Sequence, residues 1–192
     1  MALIGLKNFY YAIISDDTDG GKTTYGAPKK IGNAVSVDIS PAIQKVSLYG
    51  DDMAVATAIS MGEVTVTIET TDIPLADQAA LLGATASDDG IISKSSDVAP
   101  YVGLAFESEK HDGGIRCVKL LKGKFAPSQE TINTKGEQIQ FQVPKIEGTF
   151  VARQSDGAWK QIKDFEAGAA TDSWYTSFGS GGTGGSGDTP NP

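Results

Sequence analysis

The stretch Glu63-Val-Thr-Val-Thr-Ile-Glu69 alternates polar and apolar side chains at every position. Successive side chains of a β-strand point to opposite faces, so this spacing predicts a strand that buries Val64, Val66 and Ile68 and turns both glutamates to the other face. The same period of two recurs along the chain, and each occurrence is predicted as a half-buried strand. The others are Val35/Val37/Ile39, Val46/Leu48, Val55/Thr57/Ile59, Val102/Leu104/Phe106, Val118/Leu120, Ile139/Phe141/Val143 and Ile146/Gly148/Phe150.

Turn residues separate these predicted strands. A reversal is expected at Gly50-Asp-Asp52, and hairpins are expected at His111-Asp-Gly-Gly114 and at Asp156-Gly157. Asp-Gly and Gly-Gly supply the positive φ that tight hairpins require. The sheets are therefore predicted to be mainly antiparallel.

One helix is predicted, from about residue 74 to residue 82. Pro74 suits its first turn, and Gly83 suits its end. Leu75, Ala79 and Leu82 share one face at helical spacing, and this face is expected to pack on the sheet. The chain is thus predicted as an antiparallel β-sandwich or barrel with one short flanking helix.

The domain boundary is predicted at Phe178. Residues 1–178 carry the β pattern, whereas residues 179–192 are rich in Gly and Ser. Such a composition offers no apolar surface to offset the entropy of ordering, so residues 179–192 are predicted to be a flexible tail that is dispensable for folding.

The net charge of -8 comes from one segment. No Lys or Arg lies between Lys45 and Lys94, and the other acids balance the 16 basic residues elsewhere. An acidic protein is a poor nucleic-acid binder, because phosphate affinity depends on clustered Lys and Arg. The carboxylates of this acidic segment are Asp51, Asp52, Glu63, Glu69, Asp72, Asp77, Asp88 and Asp89. Among them, Asp51, Asp52, Glu63 and Glu69 are the candidates for an acidic functional surface.

A basic strip is the second electrostatic feature. It consists of Arg116, Lys119, Lys122 and Lys124, with no acid between them. One interpretation is a solvated strand face. The other is a surface that pairs with the acidic segment of a neighbouring subunit and fixes its register.

The loop Ser15–Thr23 partly matches two known binding loops. A phosphate-binding loop needs Gly where Asp16 stands, and Pro28 opposes the helix that should follow. A calcium loop in the EF-hand register needs a bidentate Glu where Gly26 stands. We therefore expect a solvated turn.

No catalytic, cofactor-binding or metal-binding residues are predicted. His111 is the chain's only histidine and is placed at a hairpin tip, and Cys117, the only cysteine, is placed in a strand as a small buried side chain. A secretory leader is not expected, because Met1–Lys7 has no basic leader and its apolar run is about half the length that a signal-peptide core needs. A membrane span is not expected either, because no apolar run approaches ~20 residues.

Nine short motifs follow one another in the order found in a known family. They are Phe9-Tyr-Tyr-Ala-Ile13, Asp16-Asp-Thr-Asp-Gly-Gly-Lys22, Tyr25-Gly-Ala-Pro-Lys-Lys-Ile31, Tyr49-Gly-Asp-Asp52, Ile73-Pro-Leu-Ala-Asp-Gln-Ala-Ala-Leu-Leu-Gly83, Pro100-Tyr-Val-Gly-Leu104, Leu121-Lys-Gly-Lys-Phe125, Thr134-Lys-Gly-Glu137 and Ile146-Glu-Gly-Thr-Phe150. In this order, from about Asn8 to Phe178, the chain resembles the major tail protein, the tail-tube subunit, of bacteriophages with long non-contractile tails that infect Gram-positive hosts.

The resemblance implies a structural protein of the virion without an active site. Six copies would form a ring, and rings would stack into a hollow tube around the tape measure protein, next to the tail terminator and distal tail proteins. Assembly would take place in the host cytoplasm, and viral DNA would pass through the lumen without specific binding. We expect Glu63 and Glu69 to face the lumen, with pairing to the basic strip, or exposure to open solvent, as the alternatives.

A carbohydrate-binding or host-adhesion β-sandwich is the alternative function. Trp159, Trp174 and Tyr175 would then stack on sugar rings. This alternative requires the three rings to lie together on one solvent-exposed face.

Overall fold

The computed structural model describes residues 2–51, 53–128, 143–176 and 178. These residues form a mainly β, sandwich-like fold of antiparallel sheets with two short helices, which confirms the predicted fold class. The elements in chain order are β1 (Leu3–Asp16), β2 (Thr24–Tyr25), β3 (Lys29–Lys30), β4 (Ala34–Gly50), β5 (Met53–Thr70), α1 (Leu75–Leu82), β6 (Thr85–Ser87), β7 (Gly90–Ile92), β8 (Val102–Lys110), β9 (Ile115–Ala126), β10 (Lys145–Phe150), β11 (Lys160–Phe165) and α2 (Asp172–Thr176).

The main sheet has the strand order β2-β1-β8-β9-β10-β5-β4, and β6 pairs with β7 in a separate hairpin. The predicted β8–β9 hairpin is confirmed, with Gly113 at φ 81° in its turn. The expected hairpin at Asp156-Gly157 is wrong in part. The chain does reverse there, but β10 and β11 do not pair with each other and instead lie one after the other along β9. The intervening residues, 151–159, form a loop at the edge of β9.

The main core lies between the sheet and α1. Val64, Val66 and Ile68 are fully buried, as the alternation predicted, and they pack with aromatic side chains such as Phe9 and Phe150. The helix is confirmed, and its predicted buried face is confirmed in part, since Ala79 is buried and Leu82 packs against the main core. Ala79 and Leu81 are buried in α1, whereas Leu75 at its first position is 60% exposed because it precedes the part of the helix that contacts the core.

A second, smaller core lies on the other face of β1, β8 and β9. It contains Ala12, Ala105 and Cys117, and it is covered by α2 and Phe178. The buried position predicted for Cys117 is confirmed. The sequence did not predict α2, because a helix of five residues is too short to show a helical period.

Strands β4 and β5 are longer than the alternation suggested. The stretches Val37/Ile39 and Val46/Leu48 have opposite parity and were interpreted as separate strands, yet both lie in β4. Their side chains therefore point to opposite faces of one continuous strand. The prediction of half-buried strands is wrong between residues 43 and 61, because the β4–β5 hairpin runs past the edge of the core there.

Several predictions fall outside the described residues. These concern Ile139 and Phe141 of one predicted strand, the motif Thr134–Glu137 and the tail 179–192.

Candidate functional site

The most unusual surface of the molecule is the distal half of the β4–β5 hairpin, residues 43–61, here called the arm. Strand β10 pairs with β5 only from Val64 to Glu69, and beyond that point the two strands pair only with each other among the described residues. The arm carries eight large apolar side chains that are 42 to 71% exposed. They are Ile43, Val46, Leu48, Tyr49, Met53, Val55, Ile59 and Met61. Apolar exposure on this scale marks an interaction surface.

The described residues of the predicted acidic surface, Asp51, Glu63 and Glu69, lie at separate places along the β4–β5 hairpin. Asp51 lies at the tip of the hairpin, after the paired Gly50, with a positive φ of 48°, and Asp52 lies outside the described residues. Glu63 is exposed at the base of the arm. Glu69 lies on the same outer face, where it accepts hydrogen bonds from Lys145 at 2.6 Å and Ser36 at 2.9 Å. The prediction that both glutamates point away from the core is confirmed.

The basic strip is not a free surface, because each of its cations contacts this chain. Arg116 donates to both carboxylate oxygens of Asp164 at 2.8 Å. Lys119 is 2% exposed, and its ammonium lies 4.1 Å from the centre of the Trp174 ring. The other two cations are also engaged. Lys122 pairs with Asp17, and Lys124 lies over the ring of Tyr101.

The loop Ser15–Thr23 is more than the solvated turn that was expected. Its Asp17 is buried, with only 5% of its side chain exposed. One carboxylate oxygen accepts from the Lys122 ammonium at 2.6 Å and from the Gln154 amide at 3.0 Å. The other accepts from the Thr23 hydroxyl at 2.8 Å and from the Ser155 amide at 3.3 Å. Asp17 thus ties this loop to β9 and to the loop 151–159.

Burial alone would raise the pKa of Asp17, but hydrogen bonds from Lys122, Gln154 and Thr23 outweigh that effect. Lys122 contributes both a hydrogen bond and a positive charge, and the pKa of Asp17 is held well below its usual range. This contact cannot be predicted from sequence spacing, since Asp17 and Lys122 are 105 residues apart.

The three candidate sugar-stacking rings do not form a platform. Trp174 and Tyr175 are 7% and 5% exposed within the second core, while Trp159 packs against the main core. Structural packing, rather than a shared solvent-exposed face, accounts for their positions.

Glu107 fastens the C-terminal segment to the second core. Its buried carboxylate accepts from Tyr175 at 2.7 Å, from Thr171 at 3.0 Å and from the Asn8 side chain at 2.7 Å. Asn8 reaches it from an irregularity in β1, where Asn8 adopts a φ of 52° that asparagine tolerates. We call residues 171–176 and 178, held in this way, the C-terminal strap.

The strap also changes the chemistry of the groups beneath it. Burial raises the pKa of the Cys117 thiol to about 11 and lowers the pKa of Lys119 to about 8. Both groups are desolvated because α2 lies over them, so their reactivity reports whether the strap is closed.

Tyr175→Phe is expected to open the strap more often, because it leaves the buried Glu107 with one donor fewer. A lost hydrogen bond to a charged group costs about 1.5–3 kcal/mol, so the thiol of Cys117 should react with an aromatic disulfide reagent at least about tenfold faster. Tyr10→Phe is the matched control. The ring of Tyr10 packs at a tilt against that of Tyr175, with 4.7 Å between the ring centres, but its hydroxyl makes no hydrogen bond within the described part of the chain. Equal thiol rates in wild type and Tyr175→Phe would contradict the role given to Glu107.

Comparisons with known proteins identify no relative: the sequence matches no protein-family model and no curated protein. Within the described residues, no group of three or more His, Cys, Asp or Glu side chains is placed to hold a metal ion. Neither described helix has the length and apolar character needed to cross a membrane.

Proposed function

We propose that this chain is the subunit of a self-assembling tube, the tail tube of a bacteriophage with a long non-contractile tail. Its copies associate into sixfold rings that stack around the tape measure protein. The tail terminator and distal tail proteins are the partners at the two ends of the tube, and viral DNA passes through the lumen without specific binding.

The exposed arm is the observation that carries this proposal. Its eight large apolar side chains are 42 to 71% exposed, which is more apolar surface than monomers usually expose in one region. The mainly β, antiparallel fold agrees with the fold that the family resemblance implies. A surface of this kind is stabilised when other subunits cover it, which favours an assembling structural protein.

The exposed acidic residues provide only a small surface that could line the lumen of a tube. Glu63 is exposed at the base of the arm, whereas Glu69 is partly neutralised by Lys145. We therefore keep Glu63 as the leading candidate for a lumen-facing carboxylate. An acidic wall repels phosphate, so DNA moves along it without being held.

No observation favours the carbohydrate-binding alternative. Its three proposed stacking rings are divided between the two cores, and two of them are buried.

Purified full-length protein is expected to form rings or tubes as its concentration rises. Light scattering after size exclusion should give a mass that increases with concentration, and negative-stain microscopy should show sixfold rings. Tape measure protein should lower the concentration that assembly requires. A protein that stays monomeric at every concentration, with and without tape measure protein, would contradict the proposal.

A further inference from the structure

We propose that a groove beside α1 is a docking site for a segment of another protein, an amphipathic helix whose apolar stripe is flanked by Lys or Arg. The partner is a protein other than this chain, so the inference goes beyond the proposed function. The groove, here called the α1 groove, is lined by α1, the loop 93–99, the end of β9 and the start of β10. It therefore lies apart from the arm.

The α1 groove is large, and its floor is apolar. Its volume is about 1020 Å³, at the upper end of the roughly 300–1,000 Å³ that cavities for small ligands enclose. This leaves room for several apolar side chains of a peptide. The large apolar residues of the floor belong to the main core or pack against it, and they are Ile73, Leu82, Phe125 and Ile146.

Exposed apolar side chains extend this floor onto the surface. Leu75 lines the groove from the first turn of α1 and is 60% exposed. Ile92 and Val98 are 57% and 74% exposed, and each is next in sequence to a residue that lines the groove. Exposed apolar side chains gathered around an apolar groove mark a protein interaction site.

Two contacts hold the α1 groove in shape. The hydroxyl of Tyr11 donates to the carboxylate of Asp77 at 2.7 Å and ties α1 to β1. At the end of α1, the carbonyl oxygen of Val98 packs so closely on Gly83 that a Cβ atom would not fit there. A groove that is already formed needs little rearrangement to bind a partner, which lowers the free-energy cost of association.

The charge around the α1 groove indicates the chemistry of the partner. Residues 71–99 contain a single cation, Lys94, and five carboxylates. The ion pairs of the described residues involve other acids and none of these five. The other lysine at the rim, Lys145, is paired with Glu69 at 2.6 Å. Carboxylates without a cationic partner in the described chain favour a basic partner. They are Asp72, Asp77, Asp88, Asp89 and Asp97.

A basic amphipathic helix fits both the floor and the rim of the α1 groove. Its apolar side chains recur at every third or fourth position, so they can enter the groove one after another. Lys and Arg beside this stripe can reach the aspartates, while their aliphatic stems cover the exposed apolar residues at the rim.

Peptide binding to two matched variants tests the inference. The probe is a fluorescein-labelled peptide of about 14 Leu and Lys residues, with Leu at helical spacing, and its control peptide has Glu in place of every Lys. Asp72→Asn with Leu75→Lys alters the groove. Asp51→Asn with Val46→Lys makes the same change in charge and a similar loss of apolar surface on the arm. All four residues are exposed, so both variants should melt like wild type.

Fluorescence anisotropy, measured below the protein concentration that assembly requires, gives the Kd of the peptide. The basic peptide should bind wild type and the arm variant alike, and it should bind the groove variant at least about tenfold more weakly. Binding should weaken as salt is added, and the Glu peptide should not bind.

Three results would overturn the inference. The first is that the basic peptide does not bind wild type. The second is a loss of binding that is equal in the two variants or confined to the arm variant, because net charge or the arm would then explain the binding. The third is a groove variant that binds the peptide like wild type but fails to assemble, because the groove would then hold another copy of this chain. Wild-type assembly, followed by light scattering without peptide, tests the proposed function separately.

Discussion

Replacing residues 43–61 by an Asn-Gly turn between Ala42 and Gly62 is expected to give a folded monomer that no longer assembles. The arm's side chains belong to neither core of the described structure, so their removal costs the monomer little. Ala42 lies opposite the bulge at Gly62 and Glu63, where a short turn can close the shortened hairpin. The free energy of unfolding, measured by thermal denaturation, should change by no more than about 1 kcal/mol. The molecular mass in solution should stay that of one chain at every concentration.

The control for arm deletion introduces the same Asn-Gly dipeptide at another turn. Asp88-Asp89 forms the two-residue turn between β6 and β7, so replacing it by Asn-Gly changes a turn away from the arm. This variant should assemble like wild type. If the arm-deleted protein still formed rings, the arm would not be the principal contact, and the surface argued to carry self-association would have to lie elsewhere.

The fold could be predicted from the sequence where alternating apolar side chains are also buried by the chain itself. Val64, Val66 and Ile68 alternate with polar residues and are buried as expected, because their own sheet and α1 cover them. The same alternation at Val46 and Leu48 failed, since a period of two shows which side chains share a face but not what covers that face. A face covered by another subunit gives the same pattern in sequence as one covered by the chain itself.

The contacts of the charged residues were less predictable. The sequence shows that Arg116 and Lys122 are cations in one strand, but their partners are Asp164 and Asp17, which are 48 and 105 residues away. Pairings of that kind depend on the sheet order, in which β9 lies between β8 and both β10 and β11. A strand topology is therefore needed before a basic strip can be distinguished from a set of internal ion pairs.

Lys122→Met is expected to destabilise the monomer by about 3–5 kcal/mol, because it leaves the buried carboxylate of Asp17 without its cation. The side chains of the two residues are only 8% and 5% exposed, so water cannot replace the lost partner. Adding Asp17→Asn should recover part of the loss, since the double variant buries no unpaired charge. Urea unfolding of the two single variants and the double variant at neutral pH measures this coupling. If the losses of unfolding free energy in the two single variants added up to the loss in the double variant, Asp17 and Lys122 would not interact.

The pH dependence gives an independent check on Asp17. Its folded pKa lies below the unfolded value of 3.8, so the folded chain holds its proton less tightly than the unfolded chain does. The resulting stability is fully present well above pH 3.8 and is lost as pH falls through that value toward the folded pKa. Between about pH 6 and about pH 3, wild type should therefore lose more unfolding free energy than Asp17→Asn, which keeps every other carboxylate. If the unfolding free energies of the two proteins changed with pH in parallel, Asp17 would ionise alike in the folded and unfolded states. The charge of Asp17 would then contribute no stability to the contact between its loop and β9.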